Sequence, residues 1–377
     1  MSFLSDYSDK KILLLFVLPV SITYGFLLSQ FKQLPSAIYG GDLYYHFGMF
    51  NHYFHGGDIL SDPIFNRELV FYSLFPYFLA KVSNLFNLSA LSIYKFLPVI
   101  EILTATVASF LLSKQLFAKN KLLRIVFTIS WVGVFHSFFF THPRIFAVST
   151  LFPLLVWSFL KFRDKRNLTN QLIFAGCYSS LGLTHLFGFI AASIFLLFFY
   201  LYSFLQSENK TLFIKRESKN LILPAIVAVI AIFPLLGVIT FYYNVNTLNP
   251  ATSYSTPVPD LMYAAKHLFF LVFNRGTLFN LIYFPLVIIG FYYVFISRKI
   301  KQNIKGVIVA LLLAFFIGSF HFVVTQSLFD FYWVYWQFPF YFTYLISLIF
   351  ICYGILFLQK KLTYRKSLYF VLLFSIF

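Results

Sequence analysis

The sequence predicts an all-α, polytopic membrane protein, and three observations carry that expectation. Hydrophobic residues make up 60% of the 377-residue chain and charged residues 11%, against roughly 45–50% and about 25% in soluble domains. The apolar residues fall in runs of about twenty, the length a helix needs to cross hydrocarbon, and not in the short alternating segments of a barrel. The cations stand between those runs. A water-soluble fold is thereby excluded, because in lipid only helices and closed barrels satisfy their own backbone groups.

Six clusters (Lys10 and Lys11; Lys114 to Arg124; Lys161 to Arg166; Lys210 to Lys219; Arg298 to Lys305; Lys360 to Lys366) hold 22 of the 29 Lys and Arg residues. Short loops rich in Lys and Arg stay cytoplasmic, so the net charge of +17 reads as topology, with anionic lipid as a secondary contact. Nucleic acid is not an expected partner, since no folded basic face exists to carry it. Cys177 and Cys352 both lie inside apolar runs and supply neither a zinc nor a disulfide framework.

Taken in order with the N-terminus cytoplasmic, the first predicted span covers 12–30. Its leader carries Asp6 and Asp9, and no small-residue cleavage site follows, so it reads as retained and not as a signal peptide. Residues 31–95 form the first extracytoplasmic loop. Within it 68–86 looks like a span in isolation, but the next run, 96–113, ends in the Lys114 cluster and must itself travel inward. Parity leaves 68–86 on the outer surface as an interfacial amphipathic segment, with Tyr72, Tyr77 and Lys81 at the boundary. Spans follow at 122–140, 146–160, 171–186, 187–205 and 220–241. Residues 242–276 make the second large outer loop, a Pro/Ser/Thr stretch and then a short helix with Asp260, Tyr263 and His267 on one face. Spans at 277–297, 304–322 and 337–358 complete a single domain over 1–377 with about 10–11 crossings. The apolar segment from 367 has 11 residues, about 16 Å of helix, so the chain is expected to stop mid-span or to be a fragment.

On this path the polar chemistry gathers on one face. Asp42, Asp58, Asp62, Glu68, Glu101, Asp260 and Asp330 map to the outer side, as do all eight histidines. Gly40 and Gly41 give a tight turn, and a helix starting there puts Asp42 and His46 on one face at i, i+4. Beside Tyr44 and Tyr45 at the membrane surface, Asp42 is placed to take a proton from a hydroxyl, or to cap its helix. The same loop offers metal ligands in Asp42, His46 and Asp58, carboxylates alone favouring Mg or Mn. Glu101 lies inside a span, where a charge costs roughly 2.5–3.5 kcal/mol, so it should face a cavity or a partner. His185, between Gly182 and Gly188, reads as the turn of a helix hairpin, as a packing residue or as a ligand.

The run GGDLYYHF after a first span resembles the first extracytoplasmic loop of GT-C fold glycosyltransferases. It is similar to the Asp-x-Tyr-Tyr-His pattern of oligosaccharyltransferase catalytic subunits and to loops of protein O-mannosyltransferase relatives. THPRIFAVSTLFPLLVWSFLKFR resembles their second outer loop and following helix, and LGLTHLFGFIAASIFLLFFYL their hairpin with a small residue, a His and a Gly. The resemblance implies an enzyme that takes a sugar from a polyprenyl-phosphate donor and passes it to a lipid, glycan or protein acceptor on the outer face of the cell membrane. It implies a single inverting displacement, with Asp42 as base or metal ligand beside His46. Tyr45, Glu101, His142, Arg144, His185, Asp260, Lys266, His267 and Arg275 then line the substrate, with Arg144, Lys266 and Arg275 the outer cations for the leaving phosphate.

The departures shape that expectation. The Trp-Trp-Asp-Tyr-Gly acceptor motif is missing, FDFYWVYWQ around Asp330 being no match. Thr141, His142, Pro143 and Arg144 stand where the relatives carry a second acidic motif. A metal-independent monosaccharide transferase fits better, with no required cofactor and with His142 and Arg144 on phosphate. The rival class is a transporter or lipid flippase, which should place ionisable groups at the midplane of two repeat-related broken helices. The sequence has no such repeat, and Glu101 is its one acidic residue well inside a span.

Overall fold

The computed structural model describes residues 8–30, 41–59, 61–62, 67–68, 74–135, 143–237, 277–329 and 337–361. Apart from an antiparallel pair of two-residue strands, Ser61–Asp62 against Arg67–Glu68, the regular structure of those residues is helical. We label the helices α1 (Asp9–Ser29), α2 (Gly41–Phe54), α3 (Leu74–Leu85), α4 (Ala90–Leu116), α5 (Lys121–Phe135), α6 (Pro143–Asp164), α7 (Leu168–Thr184), α8 (Leu186–Gln206), α9 (Lys210–Gly237), α10 (Thr277–Ile296), α11 (Gln302–Phe329) and α12 (Gln337–Lys361). The described parts of the ten predicted spans fall on these helices, while 136–140, 238–241 and the apolar segment from 367 lie outside the described residues. Among the described residues, five stretches are both long and apolar enough to cross a membrane: Ser92–Leu116, Pro143–Asp164, Leu186–Gln206, Gln302–Phe320 and Tyr341–Lys361. The chain is a helical membrane protein. At 12 residues, α3 reaches about 18 Å, short of the ~30 Å hydrocarbon core.

Short polar residues set the helix starts, because a side-chain oxygen there accepts one of the N–H groups that no helical carbonyl can reach. Ser8 accepts from Lys11, Ser89 from Ser92, Asn120 from Leu123, Asn167 from Asn170 and Asn209 from Leu212. Lysines and arginines occupy the last turns of α4, α6 and α12, where they oppose the negative end of the helix dipole. Lys210 reaches back to the Phe204 and Leu205 carbonyls at the end of α8. One amino-acid pattern thus both ends the helices and makes one end of the bundle cationic.

Long-range bonds place the ends of α4, α6, α8 and α12 beside the starts of α5 and α11. At the cationic end Asn120 meets Gln359, Tyr353 meets the Leu116 carbonyl, Gln302 meets Tyr202 and Asn303 meets Asp164. At the opposite end Lys95 of α4 donates to the Ser29 carbonyl of α1, 2.9 Å. Between the two ends lies a core dominated by rings, with Phe152, Phe159, Phe174, Phe195 and Phe199 interlocked edge to face or tilted. Such pairs add about 0.5–1.5 kcal/mol each beyond the area they bury. The approach of α10 to α12 depends on glycine, since a Cβ on Gly290 would lie 2.6 Å from the Phe350 carbonyl carbon.

The α6 rod contains one wide turn, a π-helical segment over Ala147–Leu151. Its cause is local. Pro153 has no N–H to offer the Ser149 carbonyl one turn earlier, and the indole N–H of Trp131 on α5 donates to that carbonyl instead, at 2.8 Å. The bulge brings Ser149 and Thr150 toward α4, where the Thr150 and Thr104 hydroxyls lie 3.2 Å apart.

Candidate functional site

Helix α2 begins at Gly41, so Asp42 occupies its first turn and His46 follows one turn later. The Asp42 side chain lies outside the described residues. His46 is buried and its carbonyl accepts the Tyr94 hydroxyl of α4 at 2.9 Å. Its ring meets half-buried Tyr45 edge-on, 5.4 Å between centroids. Met49, Phe50 and Tyr53 continue the buried face of α2 against Phe75 and Leu79 of α3 and Ile93, Tyr94 and Leu97 of α4. That helical spacing is what seats the helix. Beyond α2, Gly56 adopts φ +83°, a conformation that glycine takes without steric cost. The His52 ring packs over Gly57, and its Nε2 lies 2.9 Å from the Asp58 carbonyl.

Among the described residues, no three His, Cys, Asp or Glu side chains gather as a bound metal would require. His46 is buried while Asp58 is exposed, and His52 serves the turn after α2.

A second group forms at the same end from three distant parts of the chain. His185 leaves the helical path at φ −155°, ψ 113°, which separates α7 from α8 and makes the predicted hairpin turn. The residue is buried, and its Nδ1 lies 2.7 Å from the hydroxyl of Tyr341 in α12, the two rings stacked. Arg144, in the first turn of α6, is close enough to Tyr341 to act on it electrostatically. Gly188 makes room for this meeting, because a Cβ there would stand 2.8 Å from the Tyr341 hydroxyl. Phe146, two residues after Arg144, touches Phe75 of α3 at 5.2 Å, so the α2–α3 pair and the Arg144 helix share one end of the bundle.

Glu101 lies deeper. It is 5% exposed, and its Oε1 completes no hydrogen bond among the described residues. It sits on the face of α4 that carries Tyr94 two turns toward the helix start and Thr104 one turn toward its end. This creates a polar seam running from the His46 carbonyl to the Thr104–Thr150 hydroxyl pair.

Of the residues singled out in the sequence, the structure places His185 against Tyr341, within electrostatic reach of Arg144, and sets Tyr45 and His46 against α4. His142, Asp260, Lys266, His267 and Arg275 lie outside the described residues. Tyr341 and Tyr94 were not singled out. Both stand among many aromatics in apolar runs, and the one hint of a close approach near His185 is Gly188.

These features define a class, a multi-helix membrane protein with a buried His185–Tyr341 pair, within electrostatic reach of Arg144, opposite its cationic end. No family model matches the chain. It is 35% identical over 91 residues to the uncharacterized protein MJ1080 of Methanocaldococcus jannaschii, an alignment covering 24% of this chain and 67% of that protein. The chain belongs to the family of that protein, whose name assigns no activity.

Proposed function

We propose that this chain is an integral-membrane glycosyltransferase of the GT-C type, seated in the cell membrane with about 10–11 crossings and its cationic end at the cytoplasm. It moves a sugar from a polyprenyl-phosphate donor to a lipid, glycan or protein acceptor on the outer face. One observation carries the reading: Tyr341 meets His185 and lies within electrostatic reach of Arg144, at the end opposite the cations, which also holds the helix bearing Asp42.

In the proposed step Asp42 accepts the proton of the acceptor hydroxyl, the acceptor oxygen bonds to the anomeric carbon, and the anomeric carbon–oxygen bond to phosphate breaks with inversion. The phosphate leaves with the electron pair. Arg144 offsets its charge, with Lys266 and Arg275 as further cations and His142 and His185 as hydrogen-bond partners. A site bordered by buried rings strengthens each of these electrostatic contacts over its value in water. No metal is needed for this sequence of events.

The test is transfer of labelled sugar from a polyprenyl-phosphate donor by the purified chain in lipid, with and without chelator. The wild type should transfer, and Asp42→Asn should lose about 10²-fold or more, the usual contribution of a general base. Equal activity in both proteins removes the assignment of Asp42, and loss on chelation installs Mg or Mn.

One observation favours a second reading, a transporter or lipid flippase. The buried, unbonded Oε1 of Glu101 lies in a membrane-capable helix, where ionisable groups mark transport paths. Proteoliposomes in which the wild type moves ions or lipid, transfers no sugar, and stops on Glu101→Gln would establish it.

A further inference from the structure

The cationic end contains one cluster that the proposed chemistry does not use. Glu217, near the start of α9, is 3% exposed, and three arginines converge on it. Its Oε2 accepts from Arg163 at 2.5 Å; its Oε1 accepts from Arg166 at 2.7 Å and lies 3.2 Å from Arg216. Three guanidinium groups around one carboxylate leave two positive charges in excess. Asp164, next to Arg163 in sequence, does not offset them, since it meets Lys301 at 3.8 Å and Asn303 instead.

The excess charge is not solvated evenly. Arg163 is 8% exposed and lies over the rings of Phe199 and Tyr200, with Tyr200 as a hydrogen-bond partner. Cationic charge beyond what one carboxylate balances is costly when it is shielded from water. An anionic group with several acceptor oxygens would offset it. Arg166 and Arg216, 22% and 56% exposed, open the cluster to the surface, where Lys165, Lys215 and Lys219 are exposed as well. The same stretch of α9 exposes Leu212 and Ile214, apolar side chains that belong at a lipid boundary.

We propose that the Arg163, Arg166 and Arg216 cluster about Glu217 binds the phosphate of an anionic lipid headgroup. Arginine presents paired donors that match phosphate oxygens, and the bordering apolar residues favour a phosphate that arrives with its acyl chains over one free in solution. The site lies at the opposite end from Arg144 and His185 and is independent of the glycosyl-transfer reading.

The test uses the full chain in neutral detergent, titrated with phosphatidylglycerol, with phosphatidylcholine or with inorganic phosphate, and the bound lipid counted by native mass spectrometry. Phosphatidylglycerol should bind with defined stoichiometry and weaken by about tenfold or more in Arg166→Gln and in Arg216→Gln, the loss of one charge-assisted hydrogen bond. Lys215→Gln and Lys219→Gln remove a charge from the same helix outside the cluster and should change binding by less than about threefold. Equal weakening by the lysine variants, or no weakening by the arginine variants, overturns the site. Equal occupancy by phosphatidylcholine or by inorganic phosphate overturns its assignment to an anionic lipid.

Discussion

Replacing Gly188 with alanine tests the His185–Tyr341 pairing through packing alone. The added Cβ would stand 2.8 Å from the Tyr341 hydroxyl and 2.9 Å from Leu181 Cδ1, whereas ordinary contact begins near 3.4 Å. The phenol must therefore give way by about 0.6 Å. If it retreats along the line to His185 or swings aside, the 2.7 Å bond is compressed or broken, and its net worth of about 0.5–1.5 kcal/mol is put at risk. Overpacking adds about 1–3 kcal/mol, partly offset by up to about 1 kcal/mol because alanine suits a helix better than glycine. A net loss of about 1–3 kcal/mol should appear as a lower thermal midpoint in detergent. The decisive measurement is a double-mutant cycle with Tyr341→Phe, which removes the atom in the way. Gly188→Ala should cost at least about 0.5 kcal/mol less when Tyr341→Phe is already in place. If the two costs simply add, the hydroxyl does not sit against Gly188, and the grouping of His185 with Tyr341 fails.

Three further outcomes follow from the same packing. Gly290→Ala should lower the thermal midpoint by the upper end of the overpacking range, about 3 kcal/mol, because the methyl meets backbone on α12, the Phe350 carbonyl carbon at 2.6 Å and the Gly354 nitrogen at 2.9 Å; an unchanged midpoint would mean that α10 and α12 do not touch there. Glu217→Ala should cost about 3–5 kcal/mol by leaving Arg163 and Arg166 unpaired in a buried setting, while Arg216→Ala, acting on a side chain 56% exposed, should cost no more than about 1 kcal/mol. Glu101→Leu should raise the midpoint, since it removes a buried carboxyl oxygen without a hydrogen bond, and should reduce whichever activity the chain has; a lower midpoint with full activity would make Glu101 an ordinary structural residue.

Most of the helices were legible because hydrocarbon imposes a simple rule. Leu186–Gln206 and Tyr341–Lys361 are apolar over the length of a crossing, and no soluble arrangement competes with that pattern. The helix starts at Asn120, Asn167 and Asn209 were not read from the sequence; hydropathy marks where a run turns apolar, and α9 begins at Lys210, ten residues before the apolar run predicted from 220. The wide turn at Ala147–Leu151 was not read from sequence. Its signal is Pro153, but Pro153 alone fits an ordinary helix start equally well. The choice rests on Trp131, eighteen residues away from the Ser149 carbonyl it serves.

The site separates along the same line. Arg144 and His185 were singled out because charge and imidazole are rare in apolar sequence, and rarity is visible in one dimension. Tyr341 was not, because a tyrosine among 26 is conspicuous only once it meets a partner, and its partner lies 156 positions earlier. Arg163, Arg166, Arg216 and Glu217 read as parts of two separate cytoplasmic clusters until α6, α7 and α9 bring them together.

The residues themselves therefore determined the solvent this protein occupies, the helical state of its backbone, and which end of the bundle carries the cations, because burial in lipid, capping and the helix dipole act over a few residues. Only the tertiary structure decided which polar side chains meet: Tyr94 with His46, Tyr341 with His185, three arginines with Glu217. Those pairings depend on helix contacts between residues far apart in the chain, where a single glycine sets how closely two backbones approach.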